Sequence, residues 1–150
     1  MFYINKNTEL DAGLLGKMIN RFHLNNLPYL EKMKNYYDGI QAIMNKSYAD
    51  DSKPCNRTVT NYCKNITDSY CGYIASPGYI SYDSDNDITV IMDILRYNDY
   101  QEEDSNFLLN ALIYGTSAEL MYVDEAGQTR FCLINPTTCF GVYDDSLSND

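Results

Sequence analysis

The sequence has no tryptophan, a single histidine and only four prolines. The one histidine, His23, stands at the end of a helical pattern near Lys17 and Arg21. No Ser or Cys is placed beside it in a nucleophile motif, so it reads as a surface or structural residue. The five cysteines, Cys55, Cys63, Cys71, Cys132 and Cys139, are odd in number and contain no C-x-x-C, which signals neither a disulfide framework nor a zinc knuckle. They read as small apolar residues in a reducing compartment, with Cys63 and Cys71 sharing a helix face. No signal peptide and no membrane-length apolar run are read, so Asn56-Arg57-Thr58 and Asn65-Ile66-Thr67 are chance matches to the glycosylation sequon. Gly13 and Gly16 lie in a helical pattern with no Lys-Ser/Thr after them, so no phosphate-binding loop is present, which removes ATPase activity from this segment. Positive charge is scarce: 11 Lys and Arg face 21 Asp and Glu, for a net charge of −10. That excludes a sequence-independent grip on nucleic-acid phosphates. An acidic protein can still surround a channel from which DNA is repelled.

What the chain has in abundance is tyrosine, 15 of 150 residues, a flat apolar body with a polar tip that suits half-buried positions and subunit contacts. A chain of this length buries ~70% of its unfolded surface when it folds as one domain. Met1 to Glu9 read as an extended or poorly ordered lead-in. From Asp11, Leu14, Leu15, Met18, Ile19 and Phe22 recur at helical spacing. Asn25 or Asn26 is expected to cap a second helix with Pro28 in its first turn and Leu27, Leu30, Met33, Tyr36 and Tyr37 on its apolar face. Asp38-Gly39 stops it. Ile40 to Cys55 reads as a loop with a short helical turn at Ile40 to Met44. The next helix is expected from Arg57 to Ile74, with Val59, Tyr62, Cys63, Ile66, Tyr70 and Ile74 buried and Ser76-Pro77-Gly78 breaking it. Tyr79 to Tyr82 is a weak strand candidate. Asp87 caps a helix reaching Leu95 or Tyr97, Asn98-Asp99 interrupts, and a helix from Glu102 to Tyr114 buries Phe107, Leu108, Ala111 and Leu112 before Gly115 ends it.

The texture then changes. Ser117 to Val123 and Thr129 to Ile134 are strand-like and flank Asp124-Glu125-Ala126-Gly127, a hairpin signal. Pro136 closes the second strand and Cys139 to Tyr143 is a third candidate. The expected fold is α+β, with a helical N-terminal two-thirds and a small antiparallel sheet. The division is a lead-in at 1–10, a mainly helical segment at 11–116 and a β-hairpin or small sheet at 117–150, with further strands beyond the C-terminus in a longer chain.

Chemical motifs are thin. Asp83-x-Asp85-x-Asp87 opens like a calcium loop, but Ile88 and Ile94 occupy the positions where the EF-hand needs Gly and Glu. Asp144-Asp145 is an adjacent acidic pair, and neighbours on a strand point to opposite faces. No catalytic set, cofactor site or metal site is read.

Four stretches, in order, resemble the portal proteins of long-tailed phages of Gram-positive hosts. Tyr36-Tyr37-Asp38-Gly39 is similar to the family's Tyr-Tyr-x-Gly. Lys53-Pro54-Cys55-Asn56-Arg57 resembles its Lys-Pro-Asn-Asn-Arg, with Cys55 in place of Asn. Gly72-Tyr73 resembles the Gly-Tyr that ends the following helix. The stretch Tyr114-Gly115-x-x-x-Glu119-Leu120-x-Tyr122-x-Asp124-Glu125-x-Gly127 is the most specific, and it continues through Arg130-Phe131, Ile134-x-Pro136 and Val142-Tyr143-Asp144-Asp145. One departure is Ser76-Pro77-Gly78, where the family has Gly-x-Pro.

The resemblance implies a structural subunit rather than an enzyme, in a ring of usually twelve copies at one capsid vertex. It implies docking of terminase during DNA packaging, docking of head-completion and tail proteins afterwards, and passage of double-stranded DNA without tight binding by this segment. The setting implied is a virion assembled in the bacterial cytoplasm, with no membrane involved. This segment would be the outer wing, monomeric or weakly associated by itself. Arg57 and Glu119 are expected to do structural work, with a carboxylate offsetting Arg57 at a helix start. The alternative is a metal-dependent nuclease or other phage enzyme fragment using Asp124, Glu125, Asp144 and Asp145; a third reading is a general α+β interaction module.

Overall fold

A computed structural model describes residues 2–47, 54, 56–76 and 80–144. Lys53, Cys55, Pro77, Gly78, Tyr79 and Asp145 fall outside the described residues. The architecture is α+β: about half of the chain is helical, and a two-stranded antiparallel hairpin follows the helices.

The lead-in is extended at β1 (Phe2–Ile4), which is paired. Helix α1 (Ala12–Arg21) starts where Asp11 accepts the Leu14 N–H at 2.6 Å, the expected N-cap. The chain does not break before the second helix. Neither Asn25 nor Asn26 caps it; the backbone runs through a wide turn at Phe22–Asn26, closed by the Leu27 N–H on the Phe22 carbonyl, into α2 (Leu27–Tyr37). Pro28 explains the widening. Its ring would clash with the carbonyl four residues back in a regular helix, and the i→i+5 turn relieves that clash without ending the helix. Gly39, at φ +83°, reverses the chain after α2, and a tight helical turn follows at Ala42–Asn45.

Helix α3 (Tyr62–Ile74) begins five residues later than the pattern predicts, with Asn61 accepting the Lys64 N–H as its cap. Thr58-Val59-Thr60 is a β-branched run, stiff at χ1 and poor at starting a helix. Helix α4 (Thr89–Tyr97) follows Asp87, whose carboxylate accepts from the Thr89 N–H and hydroxyl. Helix α5 (Tyr100–Tyr114) ends at Gly115, φ +73°. Strands β2 (Ala118–Val123) and β3 (Thr129–Ile134) form the expected hairpin, in register from Ala118↔Ile134 to Val123↔Thr129.

The third strand candidate lands elsewhere. Strand β4 (Val142–Asp144) pairs in parallel with β1, from Phe2↔Val142 to Ile4↔Asp144, and not with the hairpin. The pull is aromatic: Phe140 packs edge-on against Phe2 at 5.0 Å and beside Phe22 at 5.3 Å. The core sits here, formed by Phe2, Met18, Phe22, Leu30, Ile113 and Tyr114. Burial on α5 therefore falls on Ile113 and Tyr114; Phe107 and Leu112, expected inside, are exposed. Helix α3 is turned the other way as well. Cys71 and Ala75 face inward, while Tyr62, Cys63, Ile66, Tyr70 and Ile74 are exposed. Cys63 and Cys71 thus lie in different surroundings, and Cys63 and Cys132 are exposed thiols.

Candidate functional site

Residues quoted from the first and fourth stretches build two structural corners. The first corner joins α2 to α3. The Tyr37 hydroxyl donates to Asp68 Oδ1 at 2.7 Å and accepts from Lys64 Nζ at 2.9 Å. Lys64 pairs with Asp68 at 3.1 Å and lies 4.3 Å from the Tyr37 ring centroid. The Tyr37 hydrogen bond is the first cause that holds the Lys64 ammonium above its ordinary range and the Asp68 carboxyl below its own, with each ion reinforcing the other. Asn61 ties the backbone: its Nδ2 donates to the Tyr37 carbonyl at 2.8 Å while its Oδ1 caps α3. A Cβ on Gly39 would stand 3.2 Å from Asn61 Nδ2. Glycine is thus required at Gly39 by both its φ and its neighbour. Tyr36 is half-buried on the same helix.

The second stretch makes no such corner. Pro54, Asn56 and Arg57 are exposed and precede α3. Arg57 precedes α3 and does not start it, and it makes no ion pair or hydrogen bond among the described residues. Gly72 and Tyr73 lie on the outer side of α3; nothing lies within 4 Å of a Cβ built on Gly72, and Tyr73 is 83% exposed.

The fourth stretch builds the other end of the molecule. Tyr114 is in the core and Gly115 caps α5. The Asp124 carboxylate accepts from the Ala126 and Gln128 N–H groups, both at 2.9 Å, and Gly127 turns the chain at φ +75°. Pro136 is fully buried beside Phe22, Leu30 and Phe140. Glu119 faces Glu103 and Asp104; partial burial and then those two charges push its carboxyl up. Asp104 in turn accepts from the Tyr82 hydroxyl at 3.1 Å.

One residue that sequence reasoning assigned only to an interruption links these parts. Asn98 donates to the carbonyls of Ile94 at 2.8 Å and Thr129 at 2.9 Å, and its Oδ1 accepts the Phe131 N–H at 3.0 Å. It pins the hairpin to the α4–α5 bend, where Asp99 takes φ +53°. No local pattern marks it, because its hairpin partners, Thr129 and Phe131, lie more than 30 residues away.

Chemistry finds little purchase among these groups. Burial pushes the Cys71 and Cys139 thiols up, away from the thiolate a nucleophile needs. His23 is exposed in the wide turn. Among the described residues no group of three or more His, Cys, Asp or Glu is placed to hold a metal ion, and Asp124 is engaged in its own turn. No described helix is long and apolar enough to cross a membrane.

The sequence model of the phage portal proteins, SPP1 Gp6-like, matches residues 17–150. The chain belongs to this portal protein family. The match spans all four stretches and both corners. Membership assigns the portal chain a structural role in the phage particle, in an oligomeric assembly with capsid and other phage proteins. A search of curated proteins finds no match.

Proposed function

We propose that this chain is wing material of a portal ring at one capsid vertex, the conduit through which double-stranded DNA is packaged and ejected. The ring is read as twelve subunits, with terminase docking during filling and head-completion and tail proteins afterwards, assembled in the bacterial cytoplasm. The observation that carries the reading is the family match over residues 17–150. The charge supports it: a chain of net charge −10 suits a wing segment that does not itself hold DNA. The exposed apolar side chains of α3 and β2, among them Tyr62, Tyr73, Met121 and Val123, suit burial between subunits. The described groups hold carboxylates in caps and turns rather than in a reactive constellation.

The test is genetic and visual. Antibody to this chain is expected to label one vertex per particle, and deletion of its gene is expected to leave capsid shells without DNA. Label spread evenly over the shell, or DNA-filled particles at normal yield after deletion, overturns the reading.

A further inference from the structure

Charge is segregated along this chain. Residues 1–64 carry nine Lys and Arg against six Asp and Glu, a net +3; residues 65–150 carry two against fifteen, a net −13, which together give the −10 of the whole. Within the first part, Lys34 and Lys64 are paired with Asp38 and Asp68. Lys17 and Arg21 make no ion pair among the described residues. One helical turn apart on α1, both are exposed, and they rim an open groove of about 440 Å³ between α1 and β1. Phe2, Leu14 and Met18 line it, and the Arg21 guanidinium lies 5.7 Å from the Phe2 ring centroid. The acidic part presents the converse surface. Asp83 and Asp85 are exposed on the loop before α4, and the first turn of α4 displays Val90 at 73% and Ile91 at 56% exposure.

We propose that the Lys17–Arg21 groove receives a second copy of this chain, which presents Asp83 and Asp85 to the two cations and Val90 and Ile91 to the apolar lining. The assignment deepens the ring reading above and rests on it. Two copies of a −10 chain repel at a distance, yet segregated charge makes one orientation attractive once opposite patches come within a Debye length, about 8–10 Å. Apolar cover supplies the non-directional part of the contact. The two patches are different parts of one chain, so the contact is heterologous: each copy uses its groove on one side and its acidic loop on the other. Such contacts propagate head to tail, and they form a ring when the rotation from copy to copy closes.

The experiment mixes isotope-labelled and unlabelled chain at high concentration and low salt, couples amines to carboxylates with a zero-length carbodiimide, and maps the products by mass spectrometry. The expected product is an inter-chain link from Lys17 to Asp83 or Asp85, falling about tenfold at about 0.5 M salt. Lys17→Glu with Arg21→Glu is expected to abolish self-association in sedimentation, as is Asp83→Lys with Asp85→Lys. Mixing the two charge-reversed chains is expected to restore it. The milder Lys17→Gln with Arg21→Gln, melting like wild type, separates lost docking from lost folding. Absence of an inter-chain link at Lys17, a link insensitive to salt, or failure of the mixed chains to associate overturns the proposal. Links confined to other surfaces overturn this site and leave the ring intact, whereas loss of the single-vertex label overturns the ring itself.

Discussion

The corner formed by β1, α1, α2, β4 and the end of α5 and the outer side of α3 with β2 are both rich in apolar residues, but only the first is closed. In the corner, Phe2, Phe22 and Phe140 interlock, with Met18, Leu30, Ile113 and Tyr114 around them. On the outer side, Tyr62, Ile66, Tyr70 and Tyr73 follow one another at helical spacing and face away from the chain's own core. Apolar surface on this scale in an acidic chain marks interaction with something else, as membership in a ring-forming family requires. The stability of this chain therefore resides in the corner, whereas the outer side of α3 with β2 is apolar surface that the described chain does not cover itself.

The widest separation between the two regions is expected from aromatic truncation. Phe22→Ala removes a ring that is 5% exposed and is expected to cost about 3–5 kcal/mol. Tyr73→Ala, on the open side, is expected to change stability by less than about 0.5 kcal/mol. Urea melts of the two variants check this, and equal losses would erase the distinction between the regions.

Asn98 tests whether the hairpin belongs to the stable part. Asn98→Ala removes two donors and one acceptor at once and leaves the Thr129 carbonyl and the Phe131 N–H without this partner. The expected loss is about 2 kcal/mol. Hydrogen exchange is expected to quicken in β3 ahead of α1 and α2. Uniform quickening across the chain would mean that the hairpin has no separate attachment.

Glycines sharpen the comparison at smaller scale. Gly39→Ala places a Cβ at positive φ and against Asn61, with an expected loss of about 1–2 kcal/mol. Gly72→Ala meets open space in the middle of a helical turn and is expected to raise stability by up to about 1 kcal/mol. Thermal melts moving in opposite directions support this; a destabilised Gly72→Ala would show that the outer side of α3 is constrained within the single chain.

Much of this was legible in the residues. Asp11, Asp38-Gly39, Gly115 and Asp124 with Gly127 signal ends and turns through local chemistry, and each does so in the structure. The spacing of Met18, Phe22 and Leu30 located the core because that core is closed within the chain. The same spacing misplaced the buried side of α3. Periodicity identifies which residues share a face, not whether the chain itself covers that face. The pairing of β4 with β1 was illegible for another reason: a parallel pair between the two ends of a chain has no local turn to announce it. Arg57 falls outside α3 because the β-branched run Thr58-Val59-Thr60 starts a helix poorly and Asn61 supplies the cap.

The smallest expected effect lies between the two regions, where β2 meets α5. Partial burial, then Glu103 and Asp104, push the Glu119 carboxyl above its ordinary value of 4.5, and Glu103 Oε2 is buried there without a hydrogen-bond partner. An acid whose folded pKa is raised opposes folding when charged, so its cost is fully present above the folded pKa. As pH falls through that value the folded chain takes up a proton more readily than the unfolded chain, and the cost disappears below about 4.5. Glu119→Gln copies the protonated form. It is therefore expected to be more stable than wild type near pH 7, by no more than about 0.5 kcal/mol because the side chain is partly solvated. The two melting curves are expected to converge as pH is lowered toward 4.5. A variant less stable than wild type at pH 7, or a difference that grows on acidification, would mean that Glu119 has a cationic partner in the folded chain and that its neighbours do not repel it.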